Sequence, residues 1–456
     1  MKEKAIAIFD IGKTNKKVLV FNYELKLISE EEEKFPEILD DDGFACDDIE
    51  LIEEWVGETI LRLAASEKYD LTAVNFATYG ATMAYLNNSG KRITPIYNYL
   101  KTIDERIPER LYRRYGGQDE FCRRTASPAL GMLNSGIQIL WLKTEKPQIY
   151  EQVKHILHFP QYISYLVTGK MASEHTSIGC HTALWDFDNM CYHPWVANEG
   201  LTLPEPVPVE TLVGIRAGNK TIMAAPGIHD SSASLAPYLI GKHGKFMLIS
   251  TGTWCINMNP FNTETLTTEQ LDRDCLCYLS INRQPVKSSR LFLGHMHETA
   301  LDMLNNHFRT TPDFYRKVKF DPDLKEILRR KYTGDKRAFF NSGPGSREFR
   351  ERIDLFDFKS FDEGYHQLMI ELVDLTAEAI KLIIPANDET ENIFVTGGFS
   401  NNIIFLKLLA AAFSWKKVFT SEISNATALG AALVILKSTL PERMPKLNLG
   451  LTEIVP

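Results

Sequence analysis

Two turns in the sequence carry residue types that can hold phosphate groups. Residues 10–15 (DIGKTN) follow an apolar run and present a carboxylate, backbone N–H groups and a hydroxyl. Residues 250–253 (STGT) offer hydroxyls and a glycine without an acid. Glycine lets a ligand approach the backbone closely, so such turns can bind phosphate while an aspartate faces Mg²⁺. Either turn alone is a weak signal, because most turns of this kind are ordinary hairpins.

A third turn and one further carboxylate complete the set of candidate residues. Residues 396–398 (TGG) end a strand-like run and open a helix, so their amides can support another phosphate or let an adenine ring lie against bare backbone. Asp230 stands at the start of a small-residue helix, where it can act as an N-cap or as the general base for an attacking hydroxyl. Its neighbour His229 is better suited to orienting or packing than to base chemistry.

The sequence does not support other common chemistries. It contains no GxxxxGK[ST], GxGxxG, GxSxG or HExxH motif. His295 and His297 would point the same way on a strand, but no further ligands accompany them. None of the seven cysteines forms a CxxC pair, so free thiols are expected. The expected metal is therefore magnesium, held by a carboxylate, water and nucleotide phosphates.

Alternating helices and strands must position these turns. An apolar strand, a turn and a second strand are predicted around residues 4–22 and again around 245–259. In each half a helix, a strand and a polar or glycine turn follow, as in residues 365–420. This pattern indicates a divergent internal duplication into two α/β lobes with mainly parallel sheets, whose turns face one cleft. The boundary falls near residue 240. The acidic segments at residues 30–35 and 40–48 are predicted to be solvated loop, and the apolar positions that follow at helical spacing predict a helix with Asp47 or Asp48 as its N-cap.

Composition and charge limit the class of protein. With 456 residues, of which 44% are hydrophobic and 24% charged, the chain can bury a full core and is not disordered. A net charge of −8 argues against a general nucleic-acid binder, which needs a concentrated basic surface. The N-terminal apolar run is too short for a signal peptide, and no apolar run reaches the length of a membrane span. We therefore expect a cytoplasmic protein without membrane or nucleic-acid partners.

Five motifs in a fixed order resemble a known family. They are DIGKTNKK, GIHD, ISTGTW, VTGGFSNN and NATALGAAL. In this order they resemble the FGGY carbohydrate kinases of the actin-like ATPase superfamily, and residues 133–187 are similar to the rhamnulokinase and L-fuculokinase branch. The resemblance implies two duplicated ribonuclease-H-like α/β domains with a cleft between them. Residues 1–240 would supply sugar binding, the catalytic base and the first phosphate loop, and residues 241–456 would supply ATP binding, the second phosphate loop and the adenosine pocket.

The resemblance also implies roles for individual residues. Asp230 would be the catalytic base that takes the proton of a sugar hydroxyl, and Asp10 would help to hold Mg²⁺ at the β- and γ-phosphates of ATP. The implied ATP-binding residues are Gly12, Thr14, Asn15, Lys17, Thr251, Gly252, Thr253, Gly397, Gly398 and Asn401. The implied sugar contacts are Thr78, Tyr79, Gly80, Asn98, Asp104, His229 and Asp230.

Three departures from the family pattern bear on the site. Lys13 replaces a small hydroxyl residue in the first loop, although its charge can still serve phosphate. Gln161 stands where an acid is common, which affects local structure more than catalysis. The sugar loop at residues 76–86 (FATYGATMAYL) lacks the patterns of xylulose- and gluconate-type members, so the substrate stays open.

The expected reaction is transfer of the γ-phosphoryl group of ATP to a ketose. L-Rhamnulose or L-fuculose is the first choice, and ketopentoses such as L-xylulose or L-ribulose are alternatives. Two other functions stay open, namely an actin-like phosphohydrolase that delivers water to the terminal phosphate and a sugar sensor without turnover. Retention of Asp10, Asp230 and both phosphate turns favours the kinase. A homodimer is the family-level expectation for assembly.

Overall fold

The computed structural model describes residues 2–241, 243–332, 336–341, 347–440 and 444–456. Its strands, in chain order, are β1 (Glu3–Ile11), β2 (Lys16–Asn22), β3 (Leu27–Glu33), β4 (Glu37–Leu39), β5 (Ala45–Asp47), β6 (Tyr69–Thr78), β7 (Met83–Leu86), β8 (His155–His158), β9 (Ser173–Glu174), β10 (Trp185–Asp186), β11 (Cys191–Tyr192), β12 (Pro206–Val207), β13 (Val213–Ala217), β14 (Lys220–Ala224), β15 (Ile228–His229), β16 (Phe246–Thr251), β17 (Cys255–Asn259), β18 (Cys275–Leu279), β19 (Pro285–Leu291), β20 (Asn392–Gly397), β21 (Lys417–Thr420) and β22 (Thr452–Ile454).

The α-helices alternate with these strands in both halves of the chain. In chain order they are α1 (Ile49–Ala64), α2 (Arg106–Arg114), α3 (Gln118–Thr125), α4 (Ser135–Glu145), α5 (Pro147–Tyr150), α6 (Phe159–Thr168), α7 (His175–Ile178), α8 (Pro194–Asn198), α9 (Asp230–Ile240), α10 (Thr268–Asp272), α11 (Leu293–Phe308), α12 (Pro322–Lys331), α13 (Phe361–Lys381), α14 (Ile403–Ala412) and α15 (Ala426–Thr439).

The first large sheet is built around β1, which is buried along most of its length as expected for a strand covered on both faces. β1 pairs antiparallel with β2 and parallel with β6, while β14 and β15 pair parallel with β6. The predicted hairpin is therefore confirmed. The prediction of a loop is wrong at residues 30–33, which belong to β3 at the edge of the sheet, and at residues 45–47, which form β5. An edge strand with one solvent-facing side accommodates such a charged run.

The second large sheet repeats the strand order of the first. β16 pairs antiparallel with β17 and parallel with β20, and β20 pairs parallel with β21. The order β19-β17-β16-β20-β21 matches β3-β2-β1-β6-β15 in the first sheet, strand for strand and in direction. The predicted two-domain α/β fold with an internal duplication is confirmed. The prediction of mainly parallel sheets is wrong, because antiparallel pairs such as β1–β2, β2–β3, β16–β17 and β17–β19 make both sheets mixed.

Helices α9 and α15 pack against each other between the two sheets. Gly430 of α15 approaches α9 so closely that a Cβ on it would lie 1.8 Å from the carbonyl oxygen of Ala233. The apolar face of α15 completes the core beneath the first sheet, with residues of β1 and β6. Asn75 of β6 also donates a hydrogen bond to the carbonyl oxygen of Ala431 at 3.1 Å. A helix from the C-terminal half thus covers one face of the N-terminal sheet.

Two further local predictions can be compared with the structure. The helix predicted near Asp47 or Asp48 is α1, and Asp48 is its N-cap, accepting a hydrogen bond from the Leu51 backbone N–H. His295 and His297 do not lie on a strand as predicted, because they belong to helix α11. His297 is buried there, and its Nε2 lies 3.2 Å from the hydroxyl of Tyr365.

The helices were also compared with the length of a bilayer. Within the described residues, no helix is both long enough and apolar enough to cross a membrane.

Candidate active site

The carboxyl ends of three parallel strands bring the predicted base and metal-binding residues together. Asp10 lies opposite Ala77 in the register of β1 and β6, and His229 lies opposite Thr78 in the register of β15 and β6. Asp230 follows directly, as the first residue of α9. Parallel strands end at the same edge of a sheet, so the carboxylates of Asp10 and Asp230 share that edge.

The Asp10 carboxyl group is partly buried and lies near a second negative charge. Burial and then the charge of Asp230 raise the pKa of Asp10 to about 6, although Lys17 lowers it. The side chain of Asp230 is 34% exposed, so it can reach a ligand at the same edge. Two carboxylates placed in this way repel each other until a cation or a proton arrives.

Backbone and side-chain contacts fix the position of Asp230. Its Oδ1 accepts a hydrogen bond from the Ser231 backbone N–H at 2.6 Å and lies 3.4 Å from His229 Nε2. The backbone N–H of His229 in turn donates to Thr176 Oγ1 at 3.0 Å. Burial lowers the pKa of His229, so its ring is neutral. A Cβ on Gly80 would lie 2.7 Å from that ring, so His229 packs tightly against the predicted sugar loop.

The first phosphate turn lies beside these carboxylates. It closes through a hydrogen bond from the Gly12 N–H to the Asn15 carbonyl oxygen at 2.9 Å. Thr14 at its tip is exposed, while Asn15 Oδ1 is buried and has no hydrogen-bond partner in the described part of the chain. Lys17 Nζ lies 2.8 Å from Glu30 Oε1, so its charge is shared with that glutamate. The turn therefore leaves the Thr14 hydroxyl exposed, and the side-chain oxygen of Asn15 accepts no hydrogen bond from the described residues.

Lys13, the unusual residue of this turn, has a buried partner. Its Nζ lies 2.8 Å from Asp47 Oδ2 and 3.3 Å from Glu37 Oε1. Asp47 Oδ1 also accepts a hydrogen bond from Lys16 Nζ at 2.7 Å, and its Oδ2 accepts one from the Tyr79 hydroxyl at 2.7 Å. Burial raises the pKa of Asp47, but these hydrogen bonds outweigh it and hold the pKa below its ordinary value. Sequence patterns offered Asp47 only as a possible cap of α1 and gave no sign of these contacts, which it makes from the end of β5.

The second phosphate turn is tied to the glycine turn that follows β20. The register of β16 and β20 pairs Thr251 with Gly397. Thr251 Oγ1 donates to the Thr396 carbonyl oxygen at 2.6 Å and accepts a hydrogen bond from the Phe399 N–H at 3.0 Å. Gly397 has a φ of 86°, and a Cβ on it would lie 1.8 Å from the Thr251 carbonyl oxygen. Thr251 and Gly397 therefore hold the two turns together and have no spare hydroxyl or side chain for a ligand.

A cavity of about 670 Å³ opens between these two turns. Four predicted ATP-binding residues line it: Gly252, Thr253, Gly398 and Asn401. The remaining wall comes from α11, the segment after it, α13 and the start of α14, and sequence reasoning missed it. Its polar and aromatic members are His297, Glu298, Tyr315, Arg316, Tyr365 and Asn402. Apart from Asn402, which ends the VTGGFSNN motif, none of these residues belongs to a turn motif, so only their packing around the cavity identifies them.

The predicted sugar residues follow the end of β6, but several are committed to internal contacts. The Thr78 hydroxyl donates to the Tyr79 carbonyl oxygen at 2.8 Å, and the Tyr79 hydroxyl donates to Asp47. Asn98 donates to the Ala45 carbonyl oxygen at 2.9 Å and accepts from the Leu100 N–H. These side chains shape the region through backbone and buried contacts.

Two other sequence expectations concern side chains near this region. Asp104 is paired with Arg106, two residues away and on the surface. Gln161 Nε2 donates to the Gly227 carbonyl oxygen at 3.1 Å, while its Oε1 is buried without a partner among the residues that the structure describes. Asp104 is therefore engaged locally, and Gln161 supports the turn that leads into β15.

Buried histidines surround His229, and sequence reasoning missed two of them. Burial and then the charge of His229 lower the pKa of His158 to about 3 and the pKa of His181 to about 3, so both rings are neutral. Among the described residues, His158 Nε2, His181 Nδ1 and His229 Nδ1 have no hydrogen-bond partner. Tyr99 also lies close enough to Asp230 for that charge to raise its pKa, after the larger effect of burial. Three neutral rings with buried nitrogen atoms therefore lie close to the predicted base.

The donor atoms at this edge fit a magnesium ion and nucleotide phosphates. Mg²⁺ prefers carboxylate oxygens and water, and it favours carboxylates that are short of positive partners. Asp10, whose pKa is raised by burial and by Asp230, is a carboxylate of this kind. The exposed backbone of Gly252 and Gly398 leaves the cavity open to a flat ring or a phosphate.

Two family models match the chain over most of its length. One is the FGGY family of carbohydrate kinases, N-terminal domain, over residues 5–199, and the other is the carbohydrate kinase FGGY C-terminal domain, over residues 243–443. The rhamnulokinase of Yersinia pestis (strain Pestoides F) is 26% identical over 264 residues, which cover 54% of this chain and 52% of that protein. The match thus spans about half the length of that curated relative.

Solved structures share the fold across the whole chain. A carbohydrate kinase from Novosphingobium aromaticivorans superposes with a TM-score of 0.82 at 23% identity, covering 100% of this chain and 95% of that one. The xylulose kinase of Lactobacillus acidophilus superposes with a TM-score of 0.76 at 16% identity, covering 99% of this chain and 92% of that one. At these identities the likeness concerns the fold.

Proposed function

The chain belongs to the FGGY family of carbohydrate kinases, and from this premise we propose that it transfers the γ-phosphoryl group of Mg-ATP to a hydroxyl of a ketose. The observation that carries the proposal is the shared strand edge of Asp10 and Asp230. The partly buried carboxylate of Asp10 would bind the metal, and the partly exposed carboxylate of Asp230 beside it would act as the base.

In the proposed reaction, Asp230 orients the attacking hydroxyl and accepts its proton. The hydroxyl oxygen then forms a bond to the γ-phosphorus, while the bond from that phosphorus to the β–γ bridging oxygen breaks and ADP leaves. Phosphoryl transfer requires mainly positioning and stabilisation of charge. Asp10, with Asn15 nearby, would hold Mg²⁺, which when bound neutralises charge on the phosphates.

The two turns and the cavity would hold the nucleotide. Gly12 and Thr14 of the first turn, with the ammonium groups of Lys13 and Lys17, would contact phosphate from one side. Gly252 and Thr253 would contact it from the other. The adenosine group would occupy the cavity of about 670 Å³ beside Gly398 and Asn401. A cavity of this size lies within the range of ordinary ligand sites, roughly 300–1,000 Å³.

For the acceptor we propose a six-carbon deoxyketose such as L-rhamnulose or L-fuculose. The similarity to a rhamnulokinase and the histidine that precedes Asp230 support this choice. A neutral imidazole beside the base suits a hydroxyl group, because its ring can donate one hydrogen bond and accept another. Ketopentoses such as L-xylulose or L-ribulose are the alternative substrates.

The test is ADP release from Mg-ATP against a panel of ketoses, aldoses and polyols, with a no-sugar control. We expect strong stimulation by one ketose, which would establish the kinase and name its acceptor together. ADP release that no sugar changes would contradict the proposal in favour of a phosphohydrolase. Sugar binding by calorimetry without ADP release would contradict it in favour of a sensor.

A further inference from the structure

Asp47 joins the first phosphate turn to the sugar loop, although it belongs to neither. It ends β5, and only 5% of its surface is exposed. Lys13 and Lys16 reach it from the phosphate turn, at 2.8 Å and 2.7 Å, and the Tyr79 hydroxyl reaches it from the sugar loop at 2.7 Å. Lys16 Nζ donates as well to the Lys13 carbonyl oxygen at 3.0 Å, which fixes the turn. One carboxylate therefore takes part in the hydrogen bonding of both loops.

The two ends of this link both lie close to the reacting groups. Lys13 and Lys16 bracket Thr14 and Asn15 in the turn that would bind phosphate. Tyr79 directly precedes Gly80, which lies against the ring of His229, the residue before the proposed base. A shift of the Tyr79 backbone would therefore press on the segment that carries Asp230.

The charges make the link responsive to an anion. Asp47 provides one negative charge for the two buried or half-buried ammonium groups, and Glu37 shares Lys13 from the surface. Lys13 is 22% exposed, so its ammonium group can turn toward a phosphate that enters the neighbouring turn. Asp47 Oδ2 would then keep Tyr79 as its remaining donor, and that hydrogen bond would tighten. Removing one partner from a buried ion pair strongly affects the groups left behind.

We propose that Asp47 is a positioning residue that transmits nucleotide binding to the sugar loop. The proposal rests on the proposed function, since it assumes that the turn at residues 10–17 binds nucleotide phosphate. Linkage is reciprocal, so a nucleotide that orders the sugar loop is itself bound more tightly when sugar is present. Couplings of this kind commonly change affinity by about 5- to 150-fold.

Hydrogen exchange followed by mass spectrometry tests the transmission with Mg-ADP alone, so the sugar need not be known. In the unaltered protein we expect Mg-ADP to slow exchange in peptides over residues 10–17 and also over residues 78–86, by at least about twofold. In Asp47→Asn we expect the first region to stay protected and the second to lose its protection. A merely structural role would lower stability without uncoupling the two regions.

Two further variants keep the test decisive. Tyr79→Phe removes only the hydroxyl and leaves both lysine contacts to Asp47, so it should uncouple the regions even if Asp47→Asn folds poorly. Asp40→Asn is the matched control, because Asp40 is a buried carboxylate of the same segment that accepts from Lys101 at 2.6 Å and touches neither loop. Asp40→Asn should lower stability, while Mg-ADP should still slow hydrogen exchange over residues 78–86.

The outcomes separate this inference from the function beneath it. If Mg-ADP protects only residues 10–17 in the unaltered protein, or if Asp47→Asn and Tyr79→Phe still protect residues 78–86, the inference is overturned and the kinase proposal stands. If Mg-ADP at millimolar concentration protects neither region, the proposed nucleotide site fails and this inference fails with it.

Discussion

Gly430 of α15 lies against the carbonyl oxygen of Ala233 in α9, at a distance that leaves no room for a side chain. Both helices lie between the two sheets, so this contact sets how closely the halves of the protein approach each other. Small residues permit such close packing of two helix backbones, and α15 is rich in alanine around Gly430.

Replacing this glycine should therefore loosen the contact between the halves. We expect Gly430→Ala to lower the free energy of unfolding by roughly 2–4 kcal/mol, because the new Cβ would overlap backbone atoms. Gly57→Ala in α1 is the control, since nothing lies within 4 Å of a Cβ there, and it should stabilise by about 0.5–1 kcal/mol. Equal denaturant midpoints for the two variants would contradict the prediction.

Asp230→Asn keeps the size of the side chain and removes the base. We expect phosphoryl transfer to fall by roughly 10²–10⁴-fold, while Mg-ADP binding survives. Turnover with the best acceptor and calorimetry with Mg-ADP measure the two effects separately. Asp70→Asn, which alters a half-exposed ion pair with Lys220, should leave both unchanged. Near-normal turnover in Asp230→Asn would show that Asp230 is not the catalytic base.

Asp10 should make stability depend on pH in the absence of ligand. Its folded-state pKa of about 6 is above the ordinary value of 3.8, so the folded protein holds a proton that the unfolded chain releases. Stability from this group is present below pH 4 and is lost as pH rises toward 6. The free energy of unfolding of Asp10→Asn should therefore be about 2 kcal/mol larger than that of the unaltered protein at pH 7. Near pH 4 the two proteins should have similar free energies of unfolding. A difference of the same size at pH 4 and pH 7 would contradict the raised pKa of Asp10.

The same carboxyl group should control magnesium-dependent binding. Protonation competes with the metal, so the affinity for Mg-ADP should fall as pH decreases through about 6. Calorimetric titrations between pH 5 and 8 would measure the change. Asp10→Asn should bind Mg-ADP weakly at every pH and lose most turnover, whereas unchanged binding would exclude Asp10 as the metal-binding group.

Thr176 should influence the base through the backbone. Its hydroxyl accepts a hydrogen bond from the His229 N–H at 3.0 Å and donates to the buried carboxylate of Glu174. In Thr176→Val the backbone N–H of His229 loses its hydrogen-bond acceptor, which should lower the free energy of unfolding by about 1–3 kcal/mol. We also expect kcat to fall by roughly tenfold, because a small misplacement of a catalytic group slows the reaction steeply.

A buried threonine elsewhere provides the comparison. The Thr125 hydroxyl donates to the Phe121 carbonyl oxygen at 2.8 Å within α3, so Thr125→Val should lower stability without a matching loss of kcat. Parallel thermal unfolding and turnover measurements distinguish the two variants. If both lower kcat equally, the Thr176 contact has no particular link to the base.

The two adjacent glycines after β20 should respond differently to alanine. A Cβ on Gly397 would collide with the Thr251 carbonyl oxygen, while a Cβ on Gly398 would meet nothing within 4 Å and point into open space. Gly397→Ala should lower stability by roughly 2–4 kcal/mol. Gly398→Ala should keep stability but weaken Mg-ADP binding, because Gly398 lines the cavity. Identical behaviour of the pair in unfolding and binding assays would refute this division.

Sequence patterns predicted the strands and turns because these features are local. The hairpins around Gly12 and Gly252 and the helix that begins at Asp230 follow from apolar runs, glycines and small residues within a few positions. They also predicted the duplicated fold, since the same order of elements occurs twice. The acidic strand β3 was missed, because a run of glutamates at a sheet edge has no apolar alternation to detect.

Contacts between distant segments were beyond such patterns. Asp47 meets Lys13 and Tyr79 only after β5 packs beside the first sheet, and no spacing rule connects these positions. The same holds for the wall of the cavity, where Tyr315 and Tyr365 come together from different elements. The predicted contacts at Asn98 and Asp104 depended on side-chain direction. Asn98 donates instead to the Ala45 carbonyl oxygen in a distant segment, and Asp104 pairs with Arg106 two residues away.

The position of α15 constrains how the protein can be made and divided. Because this helix covers one face of the first sheet, β1 and β6 expose an apolar surface until residues 426–439 have been synthesised. A ribosome-bound chain that has completed only its first half would therefore offer chaperones a binding surface. A fragment cut at residue 240 keeps the sheet and loses its cover, so the two halves should be soluble only when they are expressed together.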